Sequence, residues 1–244
     1  MKIGLVSEKF IDGEILNNLF IIEKRLKENI DCDLLLFGEA FLHGFDALSW
    51  EYKKDIEIAI TSDSNEIQKI QQLAKENSTA VGFGYFEQDN NDPPNIYCSY
   101  AIIDKNGKLI FNYRRMSKGW KEFTKTCDKY KEENKITIGE IEGKKFLCFI
   151  CGDLWDDNIL NNAKLITKKH NCDFIIWPNC LDYSIEQWKT EINDYAQRVK
   201  NIKPPTLLIN SHSETANGGV AVFKNGKTLS QLKMGKIDIL TTKI

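Results

Sequence analysis

Short, largely apolar runs alternate along this chain with longer stretches in which apolar residues recur every three or four positions. Residues 3–6 and 32–37 are runs of the first kind and predict strands buried on both faces. Between them, residues 17–29 place Leu19, Phe20, Ile22 and Leu26 among lysines and glutamates, which predicts an amphipathic helix. A second helix is expected over residues 66–76, with Ile67, Ile70 and Leu73 on one face and Asp63 or Ser64 as its cap. Residues 80–86 then read as a strand containing Gly82 and Gly84. Residues 95–104 and 108–115 flank Lys105-Asn106-Gly107, where Asn-Gly tolerates positive φ and so predicts a hairpin. Farther on, residues 144–151, 173–178 and 206–210 predict strands, and residues 158–170 and 184–199 predict helices. Residues 218–224 and 232–241 read as a terminal meander, and the charged stretch 129–135 as a solvated loop or helix end.

Strands alternating with helices, with hairpins added, predict an α/β domain whose apolar strands are covered on both faces. No linker, repeat or low-complexity segment interrupts the pattern, so a single domain over residues 1–244 is expected. The net charge of -2 gives no electrostatic reason to expect nucleic acid or anionic membrane as a partner. No apolar run approaches the roughly 20 residues that span a bilayer. Residues 1–7 read as a first strand rather than a signal peptide, being cut short by Glu8 and Lys9. Seven cysteines, an odd number, argue against a disulfide framework and for a reducing, cytoplasmic setting.

Three segments carry candidate chemistry. Residues 146–150 form an apolar run that stops at Cys151, followed by Gly152 and Asp153, as if a buried strand presented a thiol at a turn. A cysteine there reads either as a nucleophile or as a small buried hydrophobe. Cys148 completes a Cys-x-x-Cys pair, but the pair lies in a strand pattern, where residues three apart face opposite sides. A redox or metal role is accordingly not expected. Glu39 ends another apolar run and enters Ala40-Phe41-Leu42-His43-Gly44-Phe45. A carboxyl enclosed in this way needs a partner, and desolvation would raise its pKa toward that of a useful base; the alternative is a loop glutamate on the surface. Residues 112–122 place Arg114, Arg115 and Lys118 at a strand end, either as exposed charges or as cations able to stabilise an oxyanion.

Taken in order, these segments resemble the nitrilase superfamily of carbon–nitrogen hydrolases over nearly the whole chain. Residues 37–45 are similar to that family's glutamate segment, with Gly38 where proline is usual, and residues 149–154 to its cysteine segment. Asn95-Ile96-Tyr97, the hairpin at 104–107, Tyr113-Arg114-Arg115, Trp177-Pro178, Ala196 with Arg198, and Asn210 are similar to further landmarks. The resemblance implies a single-domain four-layer α-β-β-α sandwich that dimerises through a helical face, with no metal or organic cofactor. It also implies a Glu-Lys-Cys triad. Glu39 would be the general base and Cys151 the nucleophile, forming a thioester or thioimidate that water resolves. Glu122 would be a second, orienting glutamate, and the Gly152 N–H would contribute to the oxyanion hole.

One position departs from this pattern. Arg115 stands where the catalytic lysine is usual. Arginine keeps the charge but presents a planar fork rather than a compact ammonium. The alternatives are a hydrolase that uses Arg115, a hydrolase that uses Lys118 instead, and a silent binding protein of the same fold. Cys-Gly-Asp resembles the amidase and carbamoylase branches, so a small amide or carbamoyl compound is the first expectation and a nitrile the next. Trp120, Trp155, Trp177 and His212 are candidates to line the pocket, each with packing as its other reading.

Overall fold

The computed structural model describes residues 1–244. Its first half runs β1 (Lys2–Ser7), α1 (Ile15–Glu28), β2 (Leu34–Leu36), α2 (Tyr52–Ile58), α3 (Asn65–Asn77), β3 (Ala80–Gln88), β4 (Ile96–Ile103) and β5 (Leu109–Arg114). The second half runs β6 (Gly139–Ile141), β7 (Lys144–Cys148), α4 (Asp157–His170), β8 (Phe174–Asn179), α5 (Ile185–Arg198), β9 (Thr206–Asn210), β10 (Val220–Lys224), β11 (Lys227–Leu232) and β12 (Asp238–Lys243).

The strands form two six-stranded sheets, ordered β12-β1-β2-β3-β4-β5 and β11-β10-β9-β8-β7-β6. Each has a parallel centre, β1-β2-β3 in one and β7-β8-β9 in the other, extended by antiparallel strands. The helices supply the crossovers that parallel pairing requires. The α1 helix links β1 to β2 and α3 leads into β3, while α4 and α5 do the same for the second sheet.

Alternation along the strands decides the layering. In β2, Leu34 and Leu36 join Ile3, Leu5, Phe146 and Leu207 in the core that the two sheets share, where Phe146 meets Phe111 of the facing sheet. Leu35 points the other way and packs with Val6, Val81, Leu19, Ile22, Ile67 and Ile70 beneath α1 and α3. On the second sheet, Ile159 and Leu160 of α4 and Trp188 and Ile192 of α5 complete the outer layer. The result is the expected four-layer α-β-β-α sandwich. Side-chain caps define three helix starts: Ser64 accepts from Ile67, Asp156 from Asn158 and Ile159, and Ser184 forms a reciprocal box with Gln187. Each such cap stabilises its helix by about 1 kcal/mol.

The structure departs from the periodicity at four places. β7 stops at Cys148, so Cys151 is not a strand residue but opens a short 3-10 turn over Cys151–Trp155. α2 was not expected because its only buried residue is Asp55, a carboxylate held by Ser49, Trp50 and Tyr130 rather than by an apolar face. β6 was likewise missed, being only three residues long. The terminal meander is split: β10 and β11 form a hairpin in one sheet, whereas β12 crosses to pair antiparallel with β1 in the other. The charged stretch at 129–135 is a loop, although Tyr130 within it is buried. No helix is long and apolar enough to cross a membrane.

Candidate active site

Glu39 lies three residues past β2, in a turn that Gly84 of β3 makes room for. A Cβ on Gly84 would lie 2.3 Å from the Ala40 nitrogen and 2.8 Å from the Glu39 carbonyl carbon. The close approach sets the carboxyl beneath the adjoining strands, where Glu39 is 0% exposed. Its Oε1 accepts from Arg115 Nη1 at 2.7 Å and from the Cys98 thiol at 3.5 Å. Its Oε2 accepts from the Cys180 backbone N–H at 3.1 Å.

Arg115 follows β5 directly and extends the pairing with β4, its N–H reaching the Cys98 carbonyl at 2.8 Å. Its side chain runs into the gap between the sheets and is buried, with Nε donating to Ser117 Oγ at 2.9 Å. Cys151 opens its turn at φ 44, a left-handed conformation unusual for a side-chain-bearing residue and found disproportionately at functional sites. Trp177 of β8 holds it there, with Nε1 donating to the Cys151 carbonyl at 2.8 Å. Arg198 at the end of α5 secures the rest of the turn, donating to the carbonyls of Leu154 at 2.6 Å and Trp155 at 2.8 Å.

Asp153 joins the two halves of the site. Its Oδ1 accepts from the N–H groups of Met116 (3.1 Å) and Ser117 (2.7 Å), beyond β5. Its Oδ2 accepts from Tyr113 Oη (2.7 Å) and from the Ile150 N–H (2.9 Å), just before the cysteine. The loop carrying Arg115 and the turn carrying Cys151 are thus tied to one buried carboxylate.

Burial sets the electrostatics. It raises the Glu39 pKa, with the Arg115 charge and hydrogen bond opposing that shift. It works against the Arg115 cation too, but the charges of Glu39, Cys151 and Asp153 outweigh it and arginine stays protonated. The thiol of Cys151 lies within side-chain interaction range of Glu39 and also meets the Cys180 N–H. Burial and the Glu39 charge push that thiol up to about 12, against the pull of Arg115. Cys151 therefore rests as a thiol beside the Glu39 carboxyl group.

Of the residues singled out by sequence, Glu39, Arg115, Cys151 and Gly152 converge, and Trp177 stands beneath them. Lys118 and Glu122 do not: both are exposed on the loop after β5, and the Glu122 carboxylate makes no ion pair. Trp120 is buried with Trp50, Phe86 and Tyr130, its Nε1 donating to Glu132, so it packs rather than lines the site. Trp155 is 42% exposed and packs edge-on against Tyr195, 5.0 Å away. His212 spends its Nε2 on the Lys236 carbonyl at 3.0 Å. No group of three or more His, Cys, Asp or Glu side chains is arranged to hold a metal ion.

Four contributors had not been singled out: Cys98, Ser117, Asp153 and Cys180. Asp153 stood inside the cysteine segment, and its burial follows from the apolar run before it. Cys180 had only a topological signal. It follows β8 much as Cys151 follows β7, and neighbouring parallel strands bring their carboxyl ends together.

Residues 12–200 match the family model described as carbon-nitrogen hydrolase. An arylacetone-specific nitrilase of Alcaligenes faecalis is 22% identical over 217 residues, covering 84% of this chain and 59% of the relative. A cyanide hydratase of Neurospora crassa is 31% identical over 96 residues, 36% of this chain and 26% of the relative. The chain thus spans less than two thirds of the length of either protein. Among solved structures, an amidase of Nesterenkonia AN1 superposes with a TM-score of 0.80 at 14% identity, covering 100% of this chain and 90% of that one. A branch 10 nitrilase-superfamily member of Saccharomyces cerevisiae gives 0.78 at 21% identity, covering 99% and 89%. The structural likenesses carry the fold alone, and the family model carries the kinship: the chain belongs to the carbon–nitrogen hydrolase family of the nitrilase superfamily.

Proposed function

We propose that this protein hydrolyses a non-peptide C–N bond of a small amide, carbamoyl compound or nitrile through a covalent intermediate on Cys151. The observation that carries the reading is the meeting of a fully buried carboxyl, Glu39, with both a cation and a thiol. Sulfur attacks the electrophilic carbon as Glu39 takes the thiol proton. With an amide or carbamoyl substrate the same proton then passes to the departing amine and water resolves the thioester; with a nitrile it passes to the nitrile nitrogen, giving a thioimidate that water resolves. Burial and the Glu39 charge disfavour a resting thiolate, so in this reading proton transfer accompanies attack rather than preceding it. Arg115 serves as the cation in place of lysine, with the Gly152 N–H beside it to meet the developing oxyanion. An amide or carbamoyl group remains the first candidate from Cys-Gly-Asp, but the nitrile-acting relatives require nitriles to be tested with equal weight.

One observation favours a second reading. Arg115 already neutralises the intended base at 2.7 Å, which would leave a folded binding protein without turnover if the pair does not open. Ammonia release from a panel of small amides, carbamoyl amino acids and nitriles, run beside Cys151→Ala, separates the two. The expected result is turnover by the parent, loss of at least a thousandfold in the variant, and an acyl mass on the peptide containing Cys151. Absence of both turnover and adduct across the panel would favour the binding protein.

A further inference from the structure

Gly152 lies in the 3-10 turn that Cys151 opens, but it has no positive φ to account for a glycine there. What it has is a neighbour. A Cβ at this position would lie 2.6 Å from Arg115 Nη2, 3.1 Å from Ser117 Oγ and 3.7 Å from Arg115 Cζ. The guanidinium cannot easily withdraw from such a contact. Nη1 is bonded to Glu39 and Nε to Ser117, and Ser117 is itself held through its N–H to Asp153. Nη2 is left lying over Gly152 with no hydrogen-bond partner in the protein, in a residue only 3% exposed. The Gly152 N–H, at the start of the 3-10 turn, is likewise unpaired.

From this geometry we infer that Gly152 is a positioning residue that adapts the site to arginine: its missing side chain leaves the space in which Arg115 Nη2 is seated beside Cys151, at the oxyanion position proposed above. The inference rests on Arg115 being the working cation. A lysine ammonium is compact and has no second terminal nitrogen to occupy the space over residue 152. Arginine at 115 and glycine at 152 therefore act as one unit. A side chain at 152 is costly with arginine opposite it and far less so with lysine.

The test is a double-mutant cycle of Gly152→Ala and Arg115→Lys, read in two ways. The first is kcat on the best substrate of the panel. The second, independent of turnover, is the pH profile of Cys151 alkylation by iodoacetamide, located by peptide mass. In the arginine parent, Gly152→Ala is expected to lower kcat on the order of a hundredfold, the scale of one lost oxyanion donor. It should also move the alkylation profile to higher pH, because the cation has left the thiol. In the Arg115→Lys background the same substitution should change either quantity by less than about threefold (roughly 0.65 kcal/mol). Thermal melting of all four proteins controls for folding. Ser117→Ala, which frees Nε without adding bulk, should move the profile in the same direction. Equal effects of Gly152→Ala in both backgrounds, or no effect with arginine present, overturns the inference while leaving the nucleophile assignment intact. Loss of the acyl adduct at Cys151 in the parent would instead remove the underlying reading.

Discussion

Two hydrogen bonds decide the protonation of His43, which lies in the same turn as Glu39. The Phe86 N–H can only donate, so Nδ1 accepts it at 3.2 Å, and Nε2 must carry the proton that the Ile58 carbonyl receives at 3.2 Å. The ring is neutral and structural, and burial lowers its pKa from 6.5 to about 4. Above pH 6.5 it is neutral folded and unfolded and adds no pH dependence. As pH falls from 6.5 toward 4 the unfolded chain takes up a proton that the folded one refuses, so stability drops by up to about 3 kcal/mol. Glu39 and Asp153, raised by burial, act in the opposite sense, losing their stabilising contribution as pH rises through their folded pKa. The contribution of His43 is thus read as a difference. Denaturant unfolding at pH 7 and pH 4.5 should show a smaller drop for His43→Gln than for the parent, and equal drops would discard the assignment.

Among the elements, β3 is the one whose sequence is shaped by the site rather than by the core. Gly84 interrupts the apolar part of β3, as Gly82 also does, at a cost in strand stability, and it does so because the Glu39 turn lies directly against its backbone. The neighbouring atoms are main-chain ones, 2.3 Å and 2.8 Å from a built Cβ, and cannot rotate aside. Gly84→Ala should therefore cost about 1–3 kcal/mol in denaturant midpoint and, on the proposed mechanism, slow acylation of Cys151 by displacing Glu39. A variant within 0.5 kcal/mol or so of the parent, with acylation unchanged, would contradict this account. The α5 helix has a comparable duty at its far end, where Arg198 holds the cysteine turn through two carbonyls. Its helical period was plain in the sequence, whereas that duty was not, because the carbonyls it reaches come from more than forty residues earlier.

At the scale of the whole molecule, the site exists only where the two sheets meet. Arg115 leaves the edge of the first sheet, Cys151 follows a strand of the second, and Asp153 bridges them with both oxygens. An amide there keeps one acceptor oxygen and sets its NH₂ against donors, leaving part of the set unpaired in a dry interior. Asp153→Asn is expected to lose about 2–4 kcal/mol of stability. It should also loosen Arg115, seen as a higher-pH profile for Cys151 alkylation; an unchanged midpoint and profile would show the bridge to be dispensable.

Most of the elements could be read from local pattern, since buried parallel strands and amphipathic helices each have their own period, and Asn106-Gly107 marked its hairpin. Glu39 and Cys151 were legible because each ends an apolar run, where a polar side chain is conspicuous. The pairing of β12 with β1 was not, since residues 238 positions or so apart in sequence leave no local trace of their contact. Nor was the fate of the cations. Arg115 directly follows β5 and Lys118 lies three residues on in the loop, and only the crossing of the sheets puts the first into the interior and leaves the second in solvent. The sequence by itself thus determined the buried strands, the amphipathic helices and the two candidate site residues that follow apolar runs. The tertiary structure decided which cation they meet and why residue 152 is a glycine, because desolvation and steric exclusion depend on neighbours that the chain brings together only when both sheets have closed.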